Sequence, residues 1–137
     1  MAWKVVKRKA EAQRALFVFE IPNAAAEGTA EASTMAVEGF DLRDADAKTV
    51  FDGKMLPAGP NVQSRKVAEG WDCSSYITMH EMTTYDFWAC RRTVKDAGVY
   101  ITLAWPHLDG NPPNYAKQMR SALSDMLTSV APAPPHS

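Results

Sequence analysis

Two cysteines, Cys73 and Cys90, bracket the stretch CSSYITMHEMTTYDFWAC. Paired thiols offer a disulfide, a metal or redox pair, or two reduced core residues, and a lone activated thiolate would make Cys90 a nucleophile. The flanking segments decide how close the two sulfurs come. WDCSSYITM and TYDFWACRRTV both have strand character and together suggest a hairpin. Centring its turn between Glu81 and Met82 sets His80 opposite Thr83, Ile77 opposite Asp86, Tyr76 opposite Phe87 and Cys73 opposite Cys90. Directly opposed strand residues have Cα atoms about 4.5–5.5 Å apart, which overlaps the span of a disulfide. Glu-Met suits a tight two-residue turn poorly, so a longer loop over His80–Thr83 is expected. A cross-strand disulfide is the leading expectation, with two reduced core cysteines or a reactive Cys90 as alternatives. Only Arg91 and Arg92 are near enough in sequence to lower the pKa of Cys90. On a strand, Arg91 points to the opposite face and Arg92 lies about 6–7 Å along the same one.

Other chemistry-bearing residues form weaker patterns. HEMTT (80–84) starts like a zinc-protease motif, but Thr84 stands where the second histidine is required. His107, Asp109 and His80 are scattered ligand types, better read as loop and surface residues, and no metal is expected. Ser74, Ser75 and His80 match no nucleophile arrangement, and no GxSxG, GxxxxGK[ST] or GxGxxG occurs. Asp41, Asp44 and Asp46 bracket a helix start, where capping explains them better than acid–base catalysis. Lys7, Arg8 and Lys9 read as a charged guard on an edge strand. No catalytic residue and no cofactor is expected. Trp71, Trp88 and Trp105, with Tyr85, Phe87 and Tyr100, form an aromatic set on the central strands. They serve either as core packing or as an apolar groove, to which Met79 and Met82 at the hairpin tip would add an adaptable contact surface.

The elements that must position these residues come from one chain of 137 residues, 46% hydrophobic and 23% charged, with a formal charge of -1. That length suggests a single domain over 1–130, and the near-neutral charge gives no reason to expect nucleic acid as a partner. No apolar run reaches the about 20 residues that cross a bilayer. The start, MAWKVVKRKAEAQ, lacks the apolar stretch of a signal peptide, although a mature N-terminus would look the same.

Strands are expected around Trp3 and Val5, at 14–21 (stopped by Pro22) and at 34–42, with a bulge at Gly39. The segment 23–33 reads as a loop. A short helix is expected over 44–56, capped by Asp44 or Asp46, with Ala47, Val50, Phe51 and Met55 on one face and PAGP as its stop. Further strands are expected at 62–70, 71–79, 84–94 and 98–105; in the last, Val99, Ile101, Leu103 and Trp105 share a face. Asn111 and Pro112 set up a long amphipathic helix that presents Tyr115, Met119, Leu123, Met126, Leu127 and Val130. The tail 131–137 is proline-rich and expected to be disordered. The fold class is therefore α+β: a curved antiparallel sheet packed by a short middle helix and a long C-terminal helix, an α/β/α sandwich.

This element order, with FVFEIP near the start, GWDCSSY in the middle and Trp105-Pro106 leading to the last helix, resembles the PsbP-like (Ran-binding Mog-type) fold family over about residues 3–130. The resemblance implies a curved antiparallel sheet between helices and a mostly non-enzymatic accessory or binding role. Its relatives include bacterial exported proteins.

The sequence thus leads to a small exported protein, periplasmic or secreted, that binds a protein partner in an accessory, inhibitor or immunity-type role. Trp88, Trp105, Tyr100, Met79, Met82 and Tyr85 are the candidate contact residues. A carrier with an apolar cavity between sheet and C-terminal helix is one alternative. An enzyme using Cys90 or His80 is another, as is a cytoplasmic location.

Overall fold

The computed structural model describes residues 4–10, 14–21, 33–80, 82–107 and 115–129. The elements run β1 (Lys4–Ala10), β2 (Arg14–Ile21), β3 (Ser33–Asp41), α1 (Ala45–Asp52), β4 (Gln63–Arg65), β5 (Asp72–His80), β6 (Thr83–Val94), β7 (Ala97–Pro106) and α2 (Tyr115–Ser129). The strands form one seven-stranded sheet in the order β1-β2-β3-β7-β6-β5-β4, and every neighbouring pair is antiparallel. The expected α+β class is the observed one. The chain folds outward from a central β7, which pairs with β3 on one side and β6 on the other.

Alternation along β7 divides the sheet into two faces. Val99, Ile101, Leu103 and Trp105 are all buried on one of them, as expected. The register carries this face across to Met35 and Val37 of β3, Trp88 and Cys90 of β6, and Cys73 of β5. α2 lies on it with Tyr115, Met119, Ala122, Leu123 and Leu127 buried, spaced as one helical stripe. Two polar anchors fix its ends: the Tyr115 and Ser33 hydroxyls bond to each other, and Trp71 Nε1 donates to the Leu127 carbonyl at 3.1 Å. Met126 packs at the margin of this core, whereas Val130 and the expected Asn111–Pro112 start lie outside the described residues.

Among the described residues, the opposite face is covered by α1 at one end. Asp44 is the N-cap, its Oδ2 accepting from the Ala47 amide at 2.8 Å. The helix buries Ala47 and Phe51 in a small second cluster with Phe40. Phe51 rests directly on Gly98 of β7, where a Cβ would stand 2.8 Å from the ring. The Arg91 guanidinium lies over that ring, 3.9 Å from its centroid. Gly98→Val is therefore expected to destabilise the fold by about 1–3 kcal/mol through overpacking, read as a lower urea midpoint at unchanged slope.

Several expectations are corrected. Register runs unbroken through Gly39, which pairs with Ala15 and Val99, so there is no bulge there. The helix ends at Asp52, and Met55 is 75% exposed rather than on its buried face. Gly53 and the loop to Gly59 stop the helix before Met55 can reach the sheet. The strand expected over 62–70 shrinks to Gln63–Arg65, because β4 meets β5 only at Cys73–Ser75. The β5–β6 turn is tighter than expected: His80 pairs with Thr83, and Met82 adopts a left-handed φ of 72°. The ladder below it holds the register, so the turn accepts a conformation that glycine would favour. The expected loop at 23–33, apart from Ser33, and the tail at 131–137 lie outside the described residues.

At the β3–α1 corner, Arg43 folds back on Asp41. Its Nη2 donates to Asp41 Oδ2 at 2.8 Å, and its backbone amide donates to Oδ1 at 3.0 Å. These hydrogen bonds hold the Asp41 carboxyl at a pKa of about 2, below its ordinary 3.8. A depressed carboxylate contributes stability above its unfolded pKa and loses it as pH falls through the folded one. Asp41 is expected to titrate near pH 2 by carboxyl NMR, and Arg43→Ala to return that midpoint toward 3.8.

Candidate interaction surface

The hairpin brings Cys73 and Cys90 opposite one another, with Cα atoms 4.1 Å apart and the sulfurs joined as a disulfide. Both residues sit in the main core, 3% and 0% exposed. An oxidised, buried sulfur cannot act as a nucleophile, so this form of the chain offers no Cys90 chemistry. Arg92 lies toward Trp71, its guanidinium 5.9 Å from the ring centroid, and Arg91 turns to the α1 face. The side chain of His80 lies outside the described residues.

The aromatic set splits between the two faces. Trp88 and Trp105 stack at 6.0 Å, 5% and 2% exposed, in the core that α2 seals. They are packing residues, which corrects their place among the contact candidates. The reason is parity: β6 and β7 direct both rings to the face that α2 covers. Tyr100 occupies an even position on β7 and points to the other face, half-buried beside Phe51. Its phenol pKa is pushed up by burial and by the nearby Glu38 carboxylate. For the alternative of a ligand carrier, the sheet itself separates these rings: Trp88 and Trp105 lie on the α2 side and Tyr100 on the other.

Tyr85, Met79 and Met82 remain near the surface. Met79 is 68% and Met82 91% exposed, and Ile77 adds a third apolar side chain at 63%. Ile77 and Met79 share a face of β5 with Cys73, beyond the part that α2 covers. Asp86 stands opposite Ile77, and its Oδ2 lies 2.5 Å from His107 Nε2, a pair that ties the end of β7 to β6.

Tyr85 belongs to the face opposite α2. Away from α1, the register sets Leu16, Val18, Ala36, Ala104, Phe87 and Tyr85 on this one face, all half-buried. Tyr76 of β5 joins them, its ring 5.2 Å from Phe87. Among the described residues no helix covers this part of the sheet. Sequence reasoning found Tyr85 but missed Leu16, Val18 and Phe87 as surface residues. Their alternation was visible, but nothing in it said which face α2 would take.

A third feature is a cleft of about 860 Å³ beside the short β4, lined by residues that include Leu56, Pro57, Val62, Arg65, Trp71 and Ser74. Arg65 is committed there: its Nε donates to Ser75 Oγ at 2.9 Å and its guanidinium lies 5.1 Å from the Trp88 centroid. Among the described residues no group of three or more His, Cys, Asp or Glu side chains could hold a metal ion, and no helix is long and apolar enough to cross a membrane.

No family model matches the chain, and no curated protein does. Among solved structures, a crystal structure from Bacteroides thetaiotaomicron VPI-5482 is similar at 14% identity and a TM-score of 0.43. That likeness covers 85% of this chain and 39% of the other, so the chain spans about two fifths of its neighbour's length.

Proposed function

We propose that this chain is a non-enzymatic protein of an oxidising compartment, periplasmic or secreted, that works by binding a protein partner. The accessory and exported relatives implied by the PsbP-like resemblance are the class it would join. The observation that carries the binding reading is the aromatic and aliphatic part of the sheet that no described helix covers, from Leu16 and Val18 across Ala104 to Phe87 and Tyr76. Interface cores favour Tyr and Phe, and this face carries Phe87, Tyr85 and Tyr76. The compartment reading is supported by the Cys73–Cys90 disulfide, since such bonds persist where the surroundings are oxidising.

A photo-crosslinking residue in place of Tyr85 or Val18, expressed in the source cells, tests the binding reading. A discrete adduct heavier than the chain by one partner is expected at both positions and not at Lys117, which is exposed on α2. Identical adduct patterns at all three positions, or none at Tyr85 and Val18, would overturn it.

A further inference from the structure

The two edges of the sheet differ. β1 closes one side with Lys4, Lys7, Arg8 and Lys9 in its sequence and a register shift between Val5 and Lys7. Charge and irregularity are the usual guards of an edge strand. The other side ends in β4, which covers β5 only at Cys73, Ser74 and Ser75. Beyond Ser75, β5 continues as Tyr-Ile-Thr-Met-His, with no charged residue and no proline. Among the described residues no strand pairs with the outer side of this segment.

The backbone phase of that edge follows from the cysteines. Antiparallel pairs alternate between hydrogen-bonded and non-hydrogen-bonded, and the closer Cα spacing marks the second kind. Cys73 and Cys90, 4.1 Å apart, are a non-hydrogen-bonded pair, so the amide and carbonyl of Cys73 point away from β6. Those of Ser75, Ile77 and Met79 do the same. Cys73 and Ser75 meet Arg65 and Gln63 of β4. Ile77 and Met79 present their donors and acceptors outward, unused by any described strand.

We propose that this edge pairs with the same edge of a second copy, antiparallel, with the two-fold axis through Thr78. This register brings both outward residues into use. Ile77 of one copy then meets Met79 of the other in a hydrogen-bonded pair, and the symmetry repeats it. Thr78 faces Thr78 across the axis as a non-hydrogen-bonded pair, a favourable cross-strand match. An axis through Ile77 would instead place Met79 against Ser75, which β4 already occupies. The side chains agree with the backbone. Ile77 and Met79, both exposed in the single chain, pack together on one face, and no like charges meet. The interface is isologous and leaves the proposed partner-binding half of the sheet open.

The interface is small, so association is expected with a dissociation constant between about 1 µM and 1 mM. Sedimentation equilibrium of the full chain across that range tests it, with a monomer–dimer equilibrium expected. Thr78→Lys sets two like charges opposite each other at an exposed position and is expected to raise the dissociation constant at least about tenfold, each tenfold being about 1.4 kcal/mol. Thr78→Cys supplies an independent reading: air oxidation should give a reducible species of twice the chain mass, and Lys117→Cys should not. A monomer throughout the range, or a dimer that Thr78→Lys leaves intact and that links as readily through residue 117, would overturn the proposal. So would a monomer whose edge is occupied by a different protein.

Discussion

Replacing Cys73 and Cys90 together by alanine is expected to lower the unfolding free energy by about 3–5 kcal/mol. The two cysteines are 17 apart in sequence, and closing a loop of that size in the unfolded chain is worth about 3 kcal/mol in the chain-entropy account. The remainder comes from the lost packing of two core residues that are 3% and 0% exposed. Urea unfolding of the oxidised chain and the double variant checks this, with a lower midpoint expected in the variant. Burial adds a kinetic expectation: reductant should cleave the bond in urea and spare it in the native state. A loss below about 1 kcal/mol would mean that the hairpin register is held by the ladder alone.

Trp105→Ala carries the second large effect, a loss of about 3–5 kcal/mol. At about 3 °C per kcal/mol for a chain of this size, the thermal midpoint should fall by roughly 9–15 °C. Trp105 is 2% exposed and stacks on Trp88 beneath α2, where the truncated site cannot collapse because the sheet backbone fixes its floor. The same substitution separates two functions. A tryptophan lining an empty ligand cavity would lose little on truncation and would lower ligand affinity instead. A packed tryptophan loses stability, and calorimetry distinguishes them without knowledge of any ligand.

Counting residues down a two-residue period put Cys73 against Cys90 because a ladder leaves no freedom once its turn is placed. The same counting put Val99, Ile101, Leu103 and Trp105 on one face. The amphipathic stripe from Tyr115 to Leu127 showed that α2 packs, but β6 and β7 carry aromatic side chains on both faces, and the stripe does not say which one it covers. That choice moved Trp88 and Trp105 from candidate contacts into the core and left Phe87 and Tyr85 half-buried on the opposite face. Boundaries failed for local reasons. Met55 matched the helical period, yet the chain had already left the helix at Gly53. The residues of 66–70 had strand composition but pair with no strand among the described residues. Met82 accepts a turn conformation its type disfavours because the register below it is fixed by nine paired positions, His80–Thr83 to Asp72–Arg91.

The central claim is that the chain matures where thiols oxidise and works as a disulfide-pinned binding protein. Intact mass of protein taken from its source cells, alkylated after unfolding with and without reductant, tests this most directly. Both cysteines should resist alkylation until reductant is added, at the mass of one chain under denaturing conditions. Alkylation of both without reductant would contradict the disulfide and the oxidising compartment, and would return Cys90 to consideration as a reactive thiol.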